Sequence, residues 1–138
     1  MKAYKHKVQY YETDQMGVAH HSNYIRWFEE ARVDFLEQAG FGYDKMEKLG
    51  VLSPVLGVRV EYKKMTRFSE VLDISVKVLR FTGIKFSLGY EVRNAAGELC
   101  CFGETDHCFL DKEGKPLRLK TVFPEVYKLM QSLYQKEA

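Results

Sequence analysis

Two periodicities divide this chain. Between Lys2 and Tyr11, the residues Tyr4, His6, Val8 and Tyr10 recur at every second position, which predicts a first β-strand. From about Asn23 to Ala39, Tyr24, Trp27, Phe28, Ala31, Phe35 and Ala39 fall near a 3.6-residue repeat, so this stretch reads as an amphipathic helix that stops at Gly40. A second, short helix is expected over Tyr43 to Leu49, ending at Gly50. Period two then returns and is sustained. Val58, Val60 and Tyr62 alternate with Arg59 and Glu61. Leu72, Ile74, Val76 and Val78 alternate with Asp73, Ser75 and Lys77. Ile84, Phe86, Leu88, Tyr90 and Val92 alternate with Lys85, Ser87, Gly89, Glu91 and Arg93. A last strand is expected over Leu99 to Leu110. Turn-forming residues separate the runs at Thr82-Gly83, Asn94 to Gly97 and Asp111 to Pro116. Pro124 opens a C-terminal amphipathic segment with Val126, Leu129, Met130 and Leu133 apolar.

The order is strand, long helix, then a meander of long strands. The wide aromatic stripe of the helix has to be buried, and the apolar face of the sheet is the only large partner. The expected class is α+β, a curved antiparallel sheet of about five strands wrapped around one long central helix, with residues 1–138 forming a single domain. Strands of about ten residues span about 33 Å and leave edges that need pairing. A dimer joining two sheets edge to edge would satisfy them.

Composition narrows the function classes. With 46% hydrophobic and 14% aromatic residues the chain is globular, and 138 residues can bury a core without metals or disulfides. A net charge of +2 gives no case for nucleic-acid or bulk membrane binding. The cysteines Cys100, Cys101 and Cys108 are odd in number and lack zinc-site spacing, so a reducing, cytoplasmic compartment is expected. The opening MKAYKHKVQYYETD has no apolar run, which argues against a signal peptide, and no stretch approaches the ~18 apolar residues of a membrane span.

Chemistry concentrates in Tyr11 to Tyr24, YETDQMGVAHHSNY. Asp14 sits three residues before Gly17, on a loop that feeds the helix start, with His20, His21 and the capping residue types Ser22 and Asn23 between them. Amides at a helix N-terminus are unpaired and carry partial positive charge. A carboxylate facing such donors is a workable arrangement for acyl transfer. The blander reading makes Asp14 a turn cap and Gly17 a turn residue, and Gly17 can serve both ends by letting the backbone approach a ligand. Adjacent histidines point apart and no third ligand has suitable spacing, so no metal is expected.

Tyr11-Glu12-Thr13-Asp14, Gly17, His20 or His21, Asn23-Tyr24 and Glu30-Ala31-Arg32 together resemble the signature of the hotdog-fold acyl-CoA thioesterases. The resemblance is to the 4-hydroxybenzoyl-CoA thioesterase family and its branch associated with the bacterial Tol-Pal system. It covers nearly the whole chain. It implies metal-free hydrolysis of acyl-CoA thioesters by a homodimer, often paired into tetramers, with active sites at the subunit interface. It also implies that Asp14 is nucleophile or general base and that the amide of about His21 polarises the thioester carbonyl. Where members with aromatic substrates carry a tyrosine at that point, this chain has His21 followed by Ser22, which leaves the acyl group open.

Tyr11, Ser22, Asn23 and Tyr24 join Asp14, Gly17 and His21 as candidate site residues, although Tyr24, Trp27 and Phe28 read first of all as core. Lys63, Lys64, Arg67, Arg80 and Lys85 are candidate partners for the phosphates of CoA, against the reading that they are solvated loop charges. Glu30 and Arg32 are read as fixing helix and loop. CoA enters as part of the substrate, and no cofactor is expected. Two rivals stand beside this reading. One is a hotdog hydratase, dehydratase or thioesterase acting on acyl-carrier-protein substrates, for which His21 with Glu29 or Glu30 is the best acid–base pair available. The other is a non-catalytic acyl-CoA-binding module.

Overall fold

The alternating runs do pair into one antiparallel sheet. In a computed structural model describing residues 1–137, with side-chain surroundings to Gln135, its strands are β1 (Tyr4–Lys7), β2 (Val55–Tyr62), β3 (Val71–Phe81), β4 (Lys85–Arg93) and β5 (Leu99–Cys108). They lie in the order β1-β3-β4-β5-β2. Irregular register at Val55/Gly57, Val78/Arg80 and Val92/Arg93 marks bulges, which bend and twist a sheet. The helices are α1 (Asn23–Gln38), α2 (Tyr43–Leu49), α3 (Leu119–Val122) and α4 (Pro124–Glu137).

Helix α1 packs its stripe on the sheet as its spacing requires. Tyr24, Trp27, Phe28, Ala31, Phe35 and Leu36 are buried, and Phe28 stacks on Tyr90 of β4 with centroids 4.4 Å apart. Each such large apolar side chain contributes about 2–3 kcal/mol by leaving water. The close approach depends on Gly103 of β5: a Cβ there would lie 2.5 Å from the Arg59 carbonyl oxygen and 2.7 Å from the Phe28 ring. Gly50 ends α2 in the left-handed conformation, at φ +78°. Helix α4 packs against β3, while β1 pairs only with Val71–Ile74 of that strand.

Two local expectations need correction, and one element was not expected. The first strand stops at Lys7, and Tyr10–Glu12 form a 3-10 turn instead. The buried Glu12 carboxylate accepts the Gln9 amide at 2.8 Å and pulls the chain round, leaving Tyr10 and Tyr11 77% and 80% exposed. Ser22 is itself helical in backbone (φ −64°, ψ −22°) and makes no side-chain cap. The turn α3 just before Pro124 carries no amphipathic repeat long enough to be read from sequence.

Candidate active site

The loop before α1 is built on Glu12. Its carboxylate is 4% exposed, lies 2.8 Å from His6 Nε2 of β1, and accepts the Trp27 indole N–H of α1 at 2.7 Å. Burial alone would raise this carboxyl. The Gln9 amide, the Trp27 indole and the His6 ring outweigh that, and it lies below the usual glutamate value. The Glu12 carbonyl accepts the His20 amide and the Asn23 side-chain amide, both at 2.8 Å. One residue thus ties β1, the loop and the helix start together.

Asp14 stands on the turn this frame supports. Its amide donates to the Val18 carbonyl at 2.9 Å, and the Gly17 amide closes the turn on the Asp14 carbonyl at 3.0 Å. Gly17 adopts φ +77°, a conformation that favours glycine. The Met16 amide donates to Asp14 Oδ1 at 2.8 Å, so Asp14 is a turn former as well as a candidate nucleophile or base. Its side chain is exposed in the isolated chain.

At the helix start, the His20 carbonyl accepts the Asn23 amide at 3.0 Å and Asn23 Nδ2 at 3.3 Å. His20 Nδ1 takes the Ser22 amide at 3.2 Å and lies 2.9 Å from Ser22 Oγ. Among the described residues no acceptor meets the His21 amide. Tyr24 bonds Thr66 Oγ1 at 2.8 Å, and the Thr66 carbonyl accepts the Ala19 amide at 2.8 Å. Burial pushes the Tyr24 phenol up to about 12, so it stays protonated.

A cleft of about 340 Å³ brings Asp14, Ala19, His21, Tyr24, Tyr62, Lys63, Lys64 and Met65 together. Five of these are sequence candidates. Gly17, Ser22 and Asn23 shape the loop behind it. Tyr11, Arg67, Arg80 and Lys85 do not line it: Arg67 pairs its backbone with Val18, and Arg80 reaches Glu104 at 3.0 Å on β5. Lys63 Nζ lies 5.3 Å from the Phe102 ring centroid, and Lys64 pairs with Glu98 at 2.6 Å. Glu30 is engaged by the Tyr4 hydroxyl at 3.1 Å, and the buried Arg32 donates to the Tyr43 hydroxyl at 2.9 Å, joining α1 to α2. Ala19, Tyr62 and Met65 are the additions that sequence reading missed. Tyr62 is one more alternating apolar residue at a strand end, and only the fold turns it towards the loop.

A second cavity, about 550 Å³, lies further along α1 and shares no residue with the cleft; Tyr4, Ala31, Phe35, Val76 and Tyr90 are among its lining. Among the described residues no three His, Cys, Asp or Glu side chains gather in a metal-binding group, and no helix is long and apolar enough to cross a membrane.

Residues 8–131 match the model of the thioesterase-like superfamily. YneP of Bacillus subtilis (strain 168) is 39% identical over 120 residues, covering 86% of this chain and 87% of that protein. The acyl-CoA thioester hydrolase YbgC of Escherichia coli O6:H1 is 27% identical over 93 residues, covering 67% and 69%. The crystal structure of a DHNA-CoA thioesterase from Staphylococcus aureus superposes with a TM-score of 0.90 at 34% identity, covering 99% of this chain and 95% of that one. With the family model matching most of the chain and the fold superposing nearly end to end on a solved thioesterase, the chain belongs to the thioesterase-like superfamily as a hotdog-fold thioesterase.

Proposed function

We propose that this protein hydrolyses acyl-CoA thioesters in the cleft between the Asp14 turn and the start of α1. The observation that carries the reading is that Asp14 and His21, seven residues apart in sequence, line one cleft with two lysines at its rim. Family membership and the names of the relatives YbgC and the DHNA-CoA thioesterase support the substrate class.

In this account the His21 amide, which has no partner among the described residues, donates to the thioester oxygen as it gains charge; such a donor contributes about 3 kcal/mol. The Asp14 carboxylate takes a proton from water, whose oxygen attacks the carbonyl carbon. The tetrahedral intermediate collapses, the C–S bond breaks, and the CoA thiolate leaves and is protonated. Alternatively the carboxylate attacks first and water opens the resulting mixed anhydride. In either route one water is consumed, and free acid and CoA are produced. In this account Lys63 and Lys64, which line the cleft, meet the CoA phosphates as point charges on flexible stems.

We further infer a homodimer through β2. Its Val55, Leu56, Val58 and Tyr62 are 42–55% exposed on an edge strand of eight residues, whereas the opposite edge, β1, has four residues and two lysines. A second copy there would also cover the cleft that is open in one chain. The free thiols Cys100, Cys101 and Cys108 fit a cytoplasmic setting.

The test is thiol release from short-chain, branched, aromatic and long-chain acyl-CoAs, with crotonyl-CoA hydration followed in parallel. Thiol release without hydration is expected. Hydration without thiol release would overturn the reading in favour of a hydratase, and tight CoA binding with no turnover would favour a binding module.

A further inference from the structure

We propose that Tyr62 is a positioning residue: its hydroxyl, reaching from the sheet, fixes the His21 segment so that the His21 amide faces the cleft. This inference rests on the acyl-CoA thioesterase reading above.

Tyr62 is the last residue of β2 and lies opposite Cys101 in the register with β5, so its Cα is set by the sheet. Its hydroxyl donates to the His21 carbonyl at 3.0 Å. The intrahelical claim on that carbonyl is weaker, since the Tyr24 amide approaches it only to 3.4 Å. The Tyr62 ring is held edge-on to the buried Tyr24, with centroids 5.1 Å apart at 76°, and it flanks the His21 ring at 6.4 Å.

The consequence follows from peptide geometry. In a trans peptide the C=O and N–H point in opposite directions. The peptide joining His20 to His21 has its oxygen turned into the helix start, on the Asn23 amide and side chain. Its N–H, that of His21, therefore points away from the helix. The following peptide, from His21 to Ser22, has its oxygen held by Tyr62. Both peptides around the His21 Cα are thus pinned, which leaves that amide a fixed direction. Glu12, His20 and Asn23 all belong to the loop and helix themselves. Among the described residues Tyr62 alone tethers His20–Ser22 to the sheet. The Tyr62 phenol is a donor at neutral pH even at its ordinary value of 10, and partial burial raises it further. A preorganised donor matters because misplacement of about 1 Å can cost two orders of magnitude in rate.

Tyr62→Phe keeps the ring and removes only the tether. The expected result is about a tenfold fall in kcat with KM and Tm unchanged. A second readout separates positioning from packing: a trifluoromethyl-ketone analogue of acyl-CoA, which forms an oxyanion-like adduct or hydrate, should lose affinity by a similar factor, while CoA itself binds as before. Wild-type kcat in Tyr62→Phe, or equal losses for the analogue and for CoA, would overturn the inference while the active wild type leaves the thioesterase reading standing. A wild type with no turnover on any acyl-CoA overturns that reading and the role of Tyr62 with it.

Discussion

Glu12 and His107 set the acid limb of stability. Glu12 lies below its usual value of 4.5 because the Gln9, Trp27 and His6 donors outweigh the opposing cost of burial, so the unfolded chain takes up its proton at a higher pH than the native one. Its contribution is complete above 4.5 and is lost as pH falls through the lower native value. His107 acts in a higher window. It is fully buried and stacked on Phe86, and burial, reinforced by the charge of Arg32, lowers it from 6.5 to about 4. The unfolded chain therefore binds this proton first, and stability falls between 6.5 and about 4. Thermal melts across this range should show Tm dropping with acidity. His107→Phe should flatten the upper part of the slope, and Glu12→Gln the lower part. A wild-type Tm that stays level from pH 7 to pH 4 contradicts the His107 assignment, and one that stays level as pH falls further below 4.5 contradicts that of Glu12. Glu12 was visible in the sequence only as a motif letter. Its role was hidden because its partners, His6 and Trp27, arrive from a strand and a helix, and no local pattern records that meeting.

At the scale of elements, the start of α1 separates two residues that look alike in sequence. Ser22 makes no cap, so Ser22→Ala should change stability by less than about 0.5 kcal/mol, against the ~1 kcal/mol of a true cap. Asn23 is buried and its Nδ2 bonds the Glu12 and His20 carbonyls, so Asn23→Ala should cost about 1–3 kcal/mol. Equal effects in denaturant melts would contradict the distinction. Gly103→Ala probes helix–sheet contact: its Cβ would meet backbone at Arg59 and the Phe28 ring, and a loss of about 3 kcal/mol is expected. Helix α1 was legible because burial on one face imposes a clean period, and strands β2 to β5 because their apolar residues alternate in sequence, even though β2 leaves those residues exposed in the single chain. β1 was over-read because Tyr10 keeps the alternation while its side chain is exposed. The cleft was half legible. The Asp14–His21 part is contiguous in sequence, whereas Tyr62 and Met65 come to it through the pairing of β2 with β5.

For the whole molecule, the open question is what covers β2 and the cleft beside it. The dimer account predicts that Leu56→Lys, which puts a charge on the apolar edge, yields a folded monomer in sedimentation with turnover lost. A dimer of wild-type activity would show that the edge is not the interface. The account as a whole stands on Asp14. The most direct measurement is steady-state thiol release by wild type and Asp14→Asn side by side, on whichever acyl-CoA the wild type turns over fastest. The account predicts an unchanged Tm and a kcat reduced at least a hundredfold, on the order of a lost essential group. Wild-type kcat in a folded Asp14→Asn protein would remove Asp14 from the chemistry and contradict the account at its centre.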